Sequence, residues 1–190
     1  MEKQTIIEEW ETVEPPPPPE VNPVEINPKE TALLILDIQN QNCHAERRPR
    51  CVERIPQLKK LLSKARENEM LIVYSLTRAA ERKDIREEVK PREGEFVVKA
   101  GVDKFYQTEL EKILQDQNIK TVILVGTSAH GAVLHTATGA AARSLNIIIP
   151  VDGMSADTAY AEQYTTWHLA HAPGTKRYAT ITKIDLIHIR

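Results

Sequence analysis

Cysteine is scarce: Cys43 and Cys51 are the only two in 190 residues. Two thiols do not form the disulfide framework of a small secreted scaffold; a local bridge is one reading, and reduced thiols in a cytoplasmic protein are the expectation. Neither a paired CxxC nor an HExxH occurs, which argues against a structural zinc site and a zincin. A GxGxxG turn is also missing, which disfavours a dinucleotide-binding Rossmann protein. Charge of one sign is not in excess. The net charge of -2 gives no electrostatic reason to bind nucleic acid or an anionic membrane. No apolar run approaches the ~20 residues that span a bilayer. The stretch from Met1 to Glu20 is acidic and has no apolar core, so it does not read as a secretory signal. No internal repeat is present.

What the chain does have falls into two parts. Residues 1–29 hold Pro15 to Pro19 in an unbroken run, with Pro23 and Pro28 beyond it. Fixed φ and missing N–H groups force polyproline II there. This segment reads either as a tail or as a stiff arm laid over a neighbouring subunit, with Trp10 as its anchor. Residues 30–190 read as one domain. Residues 31–37 form an apolar run ending in Asp37, the mark of a parallel strand buried on both faces. Helical periodicity follows over 52–69, with Ile55, Leu58, Leu61, Leu62 and Ala65 on one face. Further strands are predicted at 71–76, 96–98, 121–126, 147–151 and 178–182. Helices are predicted at 107–116, 129–145 and 158–172. The alternation predicts a three-layer α/β/α sandwich around a mostly parallel, Rossmann-like sheet of about six strands.

Ligands of such sheets sit beyond the carboxyl ends of the strands, where Asp37, Gly126 and Asp152 fall. Asp37 is followed by Gln39 and Asn40. Lys99 follows a short apolar stretch. Gly126-Thr-Ser128-Ala129-His130-Gly131-Ala132 joins a strand to a helix, and its small residues let a ligand approach the helix N-terminus. Arg78 is a candidate for holding a carboxylate. Asp152 reads as a turn cap, and Tyr164 and Trp167 as core or interface. His130 and His135 lie five apart, a spacing that does not share a helix face cleanly.

Taken together, strand-Asp37-x-Gln39-Asn40, then Lys99 to Phe105, then Gly126 to Ala137, resemble the isochorismatase-like hydrolases. That family includes isochorismatases, nicotinamidases and N-carbamoylsarcosine amidohydrolases. The resemblance runs from about Thr31 to about Ile184. It implies that Asp37 and Lys99 are the acid/base and electrostatic groups, and that Gln39, Arg78, Ser128, Ala129, His130 and Gly131 line the substrate site. The family's nucleophilic cysteine falls on Ala132, whose methyl group cannot attack a carbonyl. Two departures stand out. Gln41, Asn42 and Cys43 replace the aromatic residue usual after Asp-x-Gln-Asn. The 75–80 stretch carries none of the histidines of the metal-dependent nicotinamidases, so neither a metal nor another cofactor is expected.

True isochorismatases are similar in having Ala-His-x-Gly near Ala129-His130, and they hydrolyse a vinyl ether without a cysteine. The leading expectation is therefore cysteine-independent acid/base hydrolysis of a small anionic metabolite. The alternatives are a C–N amidohydrolase with its cysteine replaced by Ala132, and an inactive member serving as a binding or scaffold protein. Cys43 as a displaced nucleophile is a minor variant. The resemblance also implies a homo-oligomer with a small-molecule substrate and with neither nucleic acid nor membrane as a partner.

Overall fold

A computed structural model describes residues 5–190. Nine strands and four α-helices alternate along the chain. They are β1 (Val24–Ile26), β2 (Thr31–Leu36), α1 (Pro49–Glu67), β3 (Leu71–Thr77), β4 (Phe96–Ala100), α2 (Leu110–Asp116), β5 (Thr121–Thr127), α3 (Leu134–Ala142), β6 (Asn146–Pro150), β7 (Met154–Ser155), α4 (Ala159–His171), β8 (Ala179–Thr182) and β9 (Ile187–Ile189). The main sheet has seven strands in the order β4-β3-β2-β5-β6-β8, with the short β7 added to β5. Every pair in it is parallel. The six long strands are those read from the sequence. The seventh, Met154–Ser155, is too short to show a period.

β2 is central, and all six of its residues are buried. Its alternate residues feed two cores, one on each face of the sheet. Ala32, Leu34 and Leu36 pack with Val122, Leu124 and the helices α2, α3 and α4. Leu33 and Ile35 pack with Tyr74, Ile123 and the apolar stripe of α1. Chain order runs outward from β2 in both directions, so the crevice between β2 and β5 is the topological switch point. That is where sheets of this kind bind ligands.

β1 and β9 form a separate parallel pair that sequence periodicity does not reveal. Three residues each are too few to carry a pattern. Asn22 donates its N–H to Ile181 O, and Thr182 Oγ1 donates to Asn22 O. The proline-rich segment is thus tied to β8. Farther out, Trp10 lies 6.3 Å from Tyr160 of the same chain, so the described arm rests on its own α4.

The expectation of reduced thiols is corrected. Cys43 and Cys51 form a disulfide, and neither is exposed. The turn after Gln39 folds back so that Cys43 N–H donates to Gln39 O, which sets Cys43 beside the first turn of α1.

Candidate active site

Asp37 stands one residue beyond β2, with φ at +53°. Simple alternation would aim its side chain toward α1, as for Ile35. The left-handed backbone turns it the other way, under α2 and α3. There Asp37 Oδ1 accepts a 2.8 Å bond from Ser75 Oγ of β3. Asp37 Oδ2 accepts a 2.7 Å bond from Lys104 Nζ. Lys104 Nζ also donates to Gly101 O at 2.7 Å. Lys104 is fully buried, and Asp37 is only 5% exposed. Burying an ion pair costs desolvation of both groups, which close geometry and added hydrogen bonds offset.

The lysine read from the sequence is therefore corrected. Lys99 lies on β4, where Val98 and Ala100 face inward and Lys99 faces solvent. It belongs to the surroundings of half-buried Asp84. That carboxyl is held below its usual range by the Glu81 N–H first, then by Gln41, with Lys99 a lesser contributor. Lys104, five residues on, reaches Asp37 because the strap 101–105 is pinned to α3. Lys104 N–H donates to Thr136 Oγ1, and Thr108 Oγ1 donates to Lys104 O. Gly139 permits the close approach, since a Cβ there would lie 2.9 Å from Asp103 Oδ1 and 3.0 Å from Phe105.

The strand-to-helix turn supplies the third side of the site. β5 lies against the end of β2 at Gly126, where a Cβ would fall 2.1 Å from Leu36 O. Its φ of +129° likewise requires glycine. After the cis peptide between Thr127 and Ser128, Ala129–Val133 makes a single π turn leading into α3. Such turns are frequent at functional sites. Ala132 is buried and stands one helical turn before Thr136, on the side of the helix that meets the Lys104 strap.

The remaining candidates separate. Gln39 is buried, but its amide is spent on Thr77, accepting the Thr77 N–H at 3.2 Å. It braces β3 rather than presenting a free amide to a ligand. Ser128 is half-buried, with no capping bond from its side chain, and Ala129 is buried beside Ala132. Gly131 lies so close to Ser128 that a Cβ would be 2.6 Å from Ser128 Oγ. Arg78 is exposed on the loop after β3. His130 is exposed and lines a groove of about 810 Å³ between α3 and α4, together with His135. The expectation that this pair would not share a face is corrected, because the π turn shifts the phase of the helix between them. Asp152 Oδ1 accepts the Ile184 N–H, so it caps a distant turn.

Ser75 and Thr136 escaped sequence reasoning. Ser75 had a signal, as the one polar residue inside Leu71-Ile-Val-Tyr-Ser-Leu76. Among the described residues, no three His, Cys, Asp or Glu side chains converge as metal ligands. No helix among the described residues is long and apolar enough to cross a membrane. The chain's two cysteines are both consumed by the disulfide, so no free thiol is present near Asp37 or elsewhere.

Comparison with known proteins identifies the family and the fold. Residues 31–184 match the isochorismatase domain. A secreted isochorismatase effector of Verticillium dahliae is 29% identical over 146 residues, covering 70% of this chain and 77% of that protein. An isochorismatase-like hydrolase from Alkaliphilus metalliredigens superposes with a TM-score of 0.74 at 24% identity, over 82% of this chain and 95% of that one. N-carbamoylsarcosine amidase from Thermoplasma acidophilum superposes with a TM-score of 0.72 at 23% identity, over 82% and 97%. At these identities the structural likeness establishes the fold alone. The match over 31–184 spans most of the sequence, and the chain belongs to the isochorismatase family of hydrolases.

Proposed function

We propose that this protein hydrolyses a small anionic metabolite by acid/base chemistry, with water as nucleophile and no acyl-enzyme step. One observation carries the reading: the buried Asp37–Lys104 pair stands at the switch point of a chain in which both sulfurs are locked in a disulfide. Ala132, at the position of the family's cysteine, offers no nucleophile. Lys104 has two of its three ammonium donors paired among the described residues, and a substrate carboxylate reaches the third when the packing over the fully buried ammonium opens.

For a vinyl ether the steps balance as follows. A bound carboxylate takes up the Lys104 ammonium, and Asp37 serves as the proton carrier. Asp37 gives that proton to the enol-ether carbon, and an oxocarbenium forms. Water adds, losing a proton back to Asp37. The hemiketal C–O bond then breaks to release an alcohol and a ketone. Ser75 holds the carboxyl plane throughout.

A buried disulfide supports an oxidising compartment rather than the cytoplasm.

A second reading, an inactive member serving as a scaffold or binding protein, is favoured by how tightly the site is closed. The packing of Leu34, Leu36, Ser75 and Val98 beside Lys104 leaves no room for a water molecule. The test is an assay of the purified chain on isochorismate and on nicotinamide, before and after treatment with iodoacetamide. Turnover of isochorismate that survives alkylation is expected. Turnover of nicotinamide only after Ala132→Cys points instead to an amidase lineage. Turnover of neither, with a ligand retained at Asp37, supports the binding protein.

A further inference from the structure

The proline run is absorbed neither by the fold nor by the proposed reaction. It lies outside residues 31–184, which carry the family match. Residues 13–23 have no regular secondary structure, and no backbone hydrogen bond among the described residues involves residues 13–21. Pro15, Pro16, Pro17 and Pro18 are exposed, and Val13 and Val21 beyond the run are 58% and 38% exposed. Both ends are nonetheless fastened. On the N-terminal side Trp10 rests on Tyr160 of α4, and Thr12 N–H donates to Glu9 O. On the C-terminal side Asn22 is bonded to Ile181 and Thr182, and β1 pairs with β9. The run is a strut held between two anchors.

We propose that residues 15–19 are a docking site for a separate protein domain that reads polyproline II through an aromatic-lined groove with a basic rim. The conformation is set in advance. Five rings fix φ, and each residue that precedes a proline is kept extended, so little backbone freedom remains to be lost on binding. Val13 already leads in with extended backbone, φ -81° and ψ 115°. Polyproline II has three residues per turn, so an unbroken run presents prolines on every face and a groove can meet whichever side is open.

The chemistry of the run narrows the partner. Proline has no N–H, so these residues cannot join a sheet edge as an ordinary strand. Their carbonyls accept no backbone hydrogen bond among the described residues. A Trp indole N–H or a Tyr hydroxyl in the groove supplies that donor, while the aromatic faces pack on the proline rings. Charge sets the rim. Glu8, Glu9, Glu11, Glu14, Glu20 and Glu25 fall between residues 5 and 28, a stretch with no lysine or arginine. Glu14 and Glu20 bracket the run directly, and both are exposed. A basic rim complements them. The anchors Tyr160, Ile181 and Thr182 are not part of the Asp37–Lys104 site, so docking and turnover are separable.

The test is isothermal titration of the full chain with purified WW, SH3 and EVH1 domains, chosen to span basic and acidic rims. A basic-rimmed domain is expected to bind one to one with a Kd below about 100 µM. The triple variant Pro16→Gly/Pro17→Gly/Pro18→Gly keeps the length, removes the rings and frees the backbone. It is expected to weaken binding at least about tenfold. Glu14→Lys/Glu20→Lys is expected to weaken it at least about threefold at low salt and to remove most of its salt dependence. Both variants alter exposed side chains outside the domain core, so the melting curve stays that of the wild type. No binding by any of the domains up to about 100 µM overturns the proposal. So does binding that the triple variant leaves unchanged. Binding indifferent to Glu14→Lys/Glu20→Lys overturns the basic rim. Self-association that requires the intact run, with no domain bound, overturns the proposal by giving the run to another copy of the chain.

Discussion

Two ion pairs, one on each side of the sheet, differ in burial and in how completely they are satisfied. On the α1 side, Arg66 grips Glu95 with a two-pronged fork, Nε to Oε1 at 2.8 Å and Nη2 to Oε2 at 2.9 Å. Arg66 Nη2 also donates to Lys90 O and Tyr74 Oη, and Glu95 Oε2 accepts the Arg92 N–H. Burial alone would raise the Glu95 carboxyl, but Arg66 and the Arg92 N–H hold it below the usual carboxylate range. The bond from Glu95 outweighs burial at Arg66 and raises the guanidinium. Burial foremost pushes Tyr74 up. On the α3 side, Lys104 meets Asp37 as a point charge with a donor to spare, beside a residue in left-handed backbone. The planar, fully engaged pair ties α1 to β3 and the loop before β4. The unfinished pair at a strand end is equipped to meet a ligand.

Four changes separate the two pairs, taken from the largest expected effect. Asp37→Asn keeps the shape but removes the transferable proton, so turnover of isochorismate falls about 10³-fold. The melting curve identifies the folded protein, and an active Asp37→Asn enzyme would falsify the mechanism. Replacing both cysteines by serine opens a loop of separation 8 and costs about 2–3 kcal/mol, read as a lower urea midpoint. Glu95→Ala leaves the half-buried Arg66 guanidinium without its carboxylate. It costs about 1–3 kcal/mol in urea unfolding while turnover per folded molecule stays constant. Lys99→Ala changes stability by less than about 0.5 kcal/mol and leaves turnover intact. A large loss of turnover there would return the catalytic role to Lys99.

Acid sharpens the contrast further. The folded Glu95 carboxyl lies below its unfolded value, so the unfolded chain takes up its proton first. Its stabilisation is complete above the unfolded range, near pH 4.3, and is lost as pH falls through the folded value. Glu95→Gln is expected to flatten that part of the stability curve.

Why some of this was readable from residues alone can be seen at β2. Thr31 to Leu36 is apolar at every position because both faces are buried, and a one-dimensional run of that kind needs no partner to be recognised. The same holds for β5 and for the apolar stripe of α1. β1, β7 and β9 are two or three residues long and take their form from the strands they pair with. At the site, Asp37 was legible from its place at the end of a buried run, and Ala132 from its motif. Ser75, Thr136 and Lys104 were not, because each acts across contacts 32 to 67 residues apart.

By itself, then, the sequence determined the order of strands and helices, the carboxylate at the switch point and an alanine at position 132. Those are properties of local apolar patterns and residue identity. Only the tertiary structure decided which lysine reaches Asp37, that Cys43 and Cys51 join, and that two histidines five apart share a groove. Each of those depends on a side chain's direction. Direction is set by one left-handed residue, one π turn and a strap fastened to a distant helix, and none of these leaves a periodic trace in the chain.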